Sequence, residues 1–265
     1  MDSDRGGRAA QAGECFPVWF VGAGPGDPEL ITMKGRRLLD AADLIVYAGS
    51  LVNPALLQDV RGEVYDSAGL DLDGIMSLLI PAVRAGKRVV RLHTGDPAIY
   101  GAIREQMHRL DQAGIGYEVV PGVSSALAAA ASLKAELTVP ELTQTVIFTR
   151  QAGRTPVPER ESLRNLAAVR ASMCIFLSVS MMEKVVAELV EGGYPEDTPA
   201  AVVEKATWPE ERVVKGKLEN IARRVEEAGM KKTAMIIVGQ ALSEAGSAES
   251  RLYASGFSHG FRQGE

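Results

Sequence analysis

Two glycine-rich turns carry the first chemical signal in this 265-residue chain. The earlier is Gly22-Ala-Gly-Pro-Gly-Asp-Pro28 and the later is Thr94-Gly-Asp-Pro-Ala-Ile-Tyr-Gly101. Each follows a short β-type apolar run, Val18–Val21 or Val89–Leu92, and each precedes a helix-like segment. Turns that leave strand ends in an open α/β sheet are where such sheets collect ligands. Asp27 stands where the third glycine of a dinucleotide fingerprint belongs, and no Lys-Ser/Thr follows to make a phosphate loop. The pattern therefore points to a small-molecule site of another kind.

A third candidate is Pro121-Gly-Val-Ser-Ser125, which opens an apolar helix. Ser124 or Ser125 can cap that helix, and its free N–H groups suit a carboxylate. Three such loops at one end of a sheet fit a ligand with a carboxylate, an amine and a flat base. Asp96, between Gly95 and Pro97, reads equally as a turn former and as the residue that fixes the loop toward a ligand. Asp27 has the same two readings, and it joins Tyr100 as a candidate acid or base. Arg150 and Arg154 flank a Gly turn at the mouth of a strand, where guanidinium groups pair with carboxylates. They suggest an anionic substrate.

Composition narrows the classes. Apolar residues make up 46% of the chain, enough for a real core. No apolar run approaches the roughly 20 residues of a membrane span. A net charge of -5 argues against nucleic acid as the main partner. Residues 1–15 lack an apolar signal region and read as a loose tail. Cys15 and Cys174 cannot form a metal cluster by themselves, and Cys174 reads as a buried core thiol. His93, His108 and His259 show no ligand spacing, so no metal is expected. Cysteine usage fits a reducing cytoplasm.

The elements that must position these groups alternate. Strands are expected at Val18–Val21, Leu44–Tyr47, Glu63–Tyr65, Arg88–Leu92 and Tyr117–Val120, with helical patterns between them. Leu72, Ile75, Met76, Leu79 and Val83 make one helix face, which Pro81 should kink or end early. Such alternation implies βαβ units and a parallel sheet over 16–134. A linker is expected at 135–143. A second α/β domain over 144–243 then carries strands Gln144–Thr149, Met173–Leu177, Ala200–Lys205, Arg212–Lys215 and Ala234–Val238. Its helices are expected at Glu159–Val169, Met181–Glu191 and Leu218–Ala228. The short turn through Trp208-Pro209-Glu210 makes its pair antiparallel and the sheet mixed. Residues 244–265 read as a tail.

The three loop motifs resemble those of the tetrapyrrole methylases, a family that uses S-adenosylmethionine. The likeness runs from about Pro17 to Ala241. Within the family it is nearest to the branch acting on precorrin-4 or cobalt-precorrin-4 in cobalamin synthesis. That nearness rests on Thr143–Pro158, on Ile175-Phe-Leu-Ser178, on Ala201–Pro209 and on Arg251-Leu-Tyr with Phe257-Ser-His-Gly-Phe-Arg262. The resemblance implies two α/β domains with the methyl donor in the cleft between them, usually in a homodimer. It implies donor contacts at Pro25, Thr94, Gly95, Asp96, Ile99, Ser124, Ser125, Leu177 and Ala234. It also implies methylation at carbon 11 of the macrocycle, whose carboxylates Arg150 and Arg154 would hold, with S-adenosylhomocysteine as the other product. Catalysis then consists largely of holding a ring carbon in line with the S–CH3 bond, at roughly 3–3.5 Å. The rival readings are a sister methylase for another ring position and a tetrapyrrole carrier. Hand-over of product to neighbouring pathway enzymes is compatible with either role.

Overall fold

β1 (Val18–Gly22), β2 (Leu44–Tyr47), β3 (Glu63–Asp66), β4 (Val89–His93) and β5 (Tyr117–Val120) form one all-parallel sheet in the order β3-β2-β4-β1-β5. A computed structural model describes residues 16–243, 256–258 and 260–263. The expected tail at 1–15, with Cys15, falls outside the described residues, as does the one at 244–265 apart from 256–258 and 260–263, so His259 lies outside them too.

The central strands are mainly apolar on both faces because both faces are covered, with Arg91 and His93 of β4 as buried exceptions. On one face α1 (Met33–Ala41) sets Leu39 against Val21, Ile45, Val90 and Leu92. On the other, α2 (Leu72–Arg84) and α3 (Ile103–Gln112) set Leu79, Val83 and Leu110 against Val18, Phe20, Val46 and Val89. The chain leaves β1 toward one edge of the sheet and β4 toward the other, on opposite faces. Adjacent strands with diverging connections mark the switch point at which open α/β sheets bind ligands.

The second sheet contains β6 (Val146–Arg150), β7 (Ser172–Phe176), β8 (Pro199–Glu204), β9 (Arg212–Lys217) and β10 (Ala234–Val238), ordered β6-β7-β10-β8-β9. It is mixed, as expected: only β6 and β7 are parallel, and β8 and β9 form the antiparallel pair. α5 (Leu163–Ala167), α6 (Met182–Glu191) and α7 (Leu218–Glu227) bury Leu163, Val185, Leu189, Ile221 and Val225 against Met173, Ile175, Val202 and Ile236. Cys174 is fully buried here, and burial pushes its thiol up to about 12.

Two expectations need correction. α2 does not end at Pro81 but runs on to Arg84. Pro81 lies on the exposed side, where water can satisfy the carbonyl that the ring leaves without a helical partner. The helix expected at Glu159–Val169 is broken into a 3-10 turn, Glu159–Glu161, and α5. Ser162 interrupts it by capping α5, its hydroxyl accepting from the Asn165 amide. The chain divides into two compact units after Ser124. α4 (Ser125–Leu133) therefore groups with the second unit, its alanines packing close to β10.

Candidate functional site

The two glycine turns meet. Gly24 and Gly95 exchange backbone hydrogen bonds, Gly95 N to Gly24 O at 2.8 Å and Gly24 N to Gly95 O at 3.3 Å. The third loop is tied to them by Asp96. One carboxylate oxygen accepts from the Gly122 amide at 2.9 Å, and the other accepts from Ala98 N at 2.8 Å. Asp96 thus forms its own turn and also ties the neighbouring loop to it. Contact among the loops is so close that side chains have no room. A Cβ on Gly122 would lie 2.1 Å from the Gly95 carbonyl oxygen, and one on Gly22 would lie 2.6 Å from Gly122 Cα.

These ties bring Pro25, Thr94, Gly95, Asp96 and Ser124 to one end of the first sheet, beyond the carboxyl ends of β1, β4 and β5. Pro25 and Ser124 are buried, while Thr94, Asp96 and Ile99 are partly exposed. Asn53, which sequence reasoning missed, pins the first turn by donating to the Gly26 carbonyl at 2.8 Å. Its Asn-Pro start of a short 3-10 turn was legible, but its partner 27 residues away was not.

Asp27 is half-buried and caps the 3-10 turn Pro28–Leu30, accepting from Glu29 N at 2.9 Å. Tyr100 is 47% exposed and has φ 55, in a turn so tight that a Cβ on Gly101 would lie 2.2 Å from the Pro97 carbonyl oxygen. Tyr100 is thus the more open of the two proton-handling candidates.

Beneath the second turn lies a buried polar pair on β4. Arg91 donates to Gln106 Oε1 and to the Val46 carbonyl, both at 3.1 Å, and burial lowers its guanidinium to about 10. His93, 4% exposed, has a buried Nε2 without a hydrogen-bond partner among the described residues. Burial, reinforced by the Arg91 charge, lowers its pKa to about 3, so the ring stays neutral at any physiological pH.

On the second unit, Ser125 is the first residue of α4. Leu177 directly follows β7 and Ala234 begins β10. The antiparallel register between the two strands sets Ile236 opposite Ile175. Arg150 ends β6 opposite Phe176. Its guanidinium is directed at its own loop, donating to the carbonyls of Gln151 at 3.4 Å, Thr155 at 3.1 Å and Pro156 at 2.7 Å. It therefore braces residues 151–156, whereas Arg154 is exposed.

Residues 22–28, 94–101 and 121–125 contain no cationic side chain. They offer backbone N–H and C=O groups and the hydroxyls of Thr94, Ser124 and Ser125. That set fits the amino-acid end and flat base of S-adenosylmethionine, and it does not fit a pyrophosphate.

Comparison with known proteins points the same way. A family model described as Tetrapyrrole (Corrin/Porphyrin) Methylases matches residues 17–222. A cobalt-precorrin-4 C(11)-methyltransferase of Methanocaldococcus jannaschii is 56% identical over 248 residues, covering 93% of this chain and 96% of the relative. A precorrin-4 C(11)-methyltransferase of Pseudomonas aeruginosa is 48% identical over 249 residues, covering 94% and 99%. Among solved structures, a cobalt precorrin-4 methyltransferase of cobalamin biosynthesis superposes with a TM-score of 0.84 at 48% identity, covering 85% of this chain and 95% of that one. A Thermus thermophilus uroporphyrin-III C-methyl transferase complexed with S-adenosylhomocysteine gives 0.73 at 31% identity, covering 90% and 95%.

Proposed function

The chain belongs to the tetrapyrrole methylases, and on that footing we propose that it transfers a methyl group from S-adenosylmethionine to carbon 11 of precorrin-4, in cobalamin biosynthesis. The observation that carries the reading is the cradle of three mutually bonded loops at the switch point of the first sheet, polar in its backbone and free of phosphate-binding cations.

The donor supplies a sulfonium methyl that is already electrophilic. The protein's task is placement, and the rigidity of the loops serves it. The Gly24–Gly95 bonds and the Asp96 carboxylate fix the backbone groups that face the donor, so they need no reorganisation during reaction. Pro25, Thr94, Ile99 and Ser124 complete that surface on the first unit. Taken by itself, the second unit has Ser125, Leu177 and Ala234 as its proposed donor contacts. Arg154 holds a substrate carboxylate, and Arg150 acts by shaping the loop that carries Arg154. Tyr100 is the first candidate to accept or shuttle the proton that the macrocycle loses when it is methylated, with Asp27 second. The product is a candidate for direct hand-over to a neighbouring enzyme, and the enzyme itself is proposed to be a homodimer; sedimentation of the purified chain tests the latter.

Calorimetric titration with S-adenosylhomocysteine tests the reading. The wild type should bind one equivalent per chain, and Asp96→Ala should weaken binding about tenfold, the scale of a lost charge-assisted hydrogen bond. Folded wild-type protein that does not bind defeats it. Incubation with metal-free and cobalt-bound precorrin-4 then identifies the substrate form, and a methyl at any position other than carbon 11 points to a sister activity. Arg154→Ala should raise the macrocycle KM more than it lowers kcat.

A further inference from the structure

Parallel pairing of β6 with β7 stops at Arg150 and Phe176. Just beyond, one hydroxyl takes over from the ladder. Ser178 Oγ accepts from the Gln151 amide at 2.8 Å and donates to the Phe176 carbonyl at 2.6 Å. Ser178 is completely buried, and its own carbonyl accepts from Met181 N at 2.9 Å, opening the turn into α6. The Gln151 side chain ties the same corner to α6 by donating to Glu188 Oε1 at 2.8 Å, while its own Oε1 is buried without a partner among the described residues.

Leu177 sits between the anchored Phe176 and Ser178. It has φ 55, a left-handed conformation that disfavours a leucine, and it is 68% exposed. Local strain and an apolar side chain in solvent coincide at one residue. Such a conformation persists only where surrounding bonds over-determine it, and here those bonds converge on the Ser178 hydroxyl.

We propose that Ser178 is a positioning residue for the methyl donor: its hydroxyl clamps the ends of β6 and β7 so that the backbone presents the Leu177 side chain outward to the donor. The inference rests on the assignment of Leu177 to the donor in the proposed function. Ser178 itself touches no reacting atom. Its effect should appear in donor affinity and pass entirely through Leu177.

A double-mutant cycle tests this, read by titration with S-adenosylhomocysteine and by steady-state kinetics. Ser178→Ala should weaken S-adenosylhomocysteine and raise the donor KM about tenfold, with kcat within about twofold. In a Leu177→Ala background the same change should alter affinity by less than about twofold, because the residue it positions is gone. Additive losses, or wild-type affinity in Ser178→Ala, overturn the inference. If Ser178→Ala does not fold, Ser178→Cys carries the same expectation, since the thiol keeps the shape and is a poor hydrogen-bonding group. The wild-type titration separates the failures. A wild type that binds nothing defeats the methylase reading. A wild type that binds, with Leu177→Ala unaffected, removes Leu177 from the donor and overturns the role of Ser178 while leaving the methylase reading standing.

Discussion

The loop ends of the two sheets are fixed by opposite means. In the first unit the loops after β1, β4 and β5 are joined by backbone bonds between glycines and by one aspartate. They come together because Gly22 and Gly122 have no side chains to keep them apart. In the second unit the corner beyond β6 and β7 is held by side chains: the Ser178 hydroxyl links the two strand ends, the Gln151 amide reaches α6 and the Arg150 guanidinium braces its own loop. Close backbone packing leaves no slack, whereas side-chain ties hold a strained leucine that could relax. The first design should tolerate substitution badly and the second should tolerate it well.

The sharpest way to break that contrast is Gly122→Ala. Its Cβ would meet a backbone oxygen that cannot move without separating the loops. A loss of about 3 kcal/mol is expected in urea unfolding, with donor binding abolished. A loss below about 1 kcal/mol would mean that the loops are not rigidly joined.

A somewhat smaller effect comes from His93, beneath the same loops. Its pKa falls from 6.5 to about 3 in the folded chain, so the unfolded chain binds the extra proton. The stability associated with the neutral ring is intact above pH 6.5 and declines as pH falls toward 3. Between pH 7 and pH 5 the wild type should lose about 2 kcal/mol more than His93→Leu does, measured by urea unfolding at both pH values. Parallel losses in the two proteins would show that the ring is protonated in the folded state.

The smallest effect should be Leu177→Gly. Relief of the left-handed strain, about 1 kcal/mol, offsets the added freedom of the unfolded chain, leaving stability within about 0.5 kcal/mol. Donor affinity should nevertheless fall severalfold. A stability loss above about 2 kcal/mol would show that Leu177 is packed and would erase the difference between the two regions.

Much of this molecule was legible in one dimension. The glycine turns, the βα alternation and the antiparallel pair through Trp208 are written in residue types whose demands are local: turn residues, apolar periods, cap-and-proline starts. The strand spans Leu44–Tyr47, Tyr117–Val120 and Ala234–Val238 agree residue for residue with expectation. Only the tertiary structure decided that Asp96 reaches Gly122, that Asn53 reaches Gly26, that Arg150 turns onto its own loop and that α4 joins the second unit. It alone decided that Ser178 and Gln151, common residues with no local signature, hold a corner of the second sheet. A turn is set by the φ and ψ preferences of its own few residues. A hydrogen bond between distant residues is set by where two strands end in space, and strand order fixes that without leaving any mark on the spacing of residues along the chain.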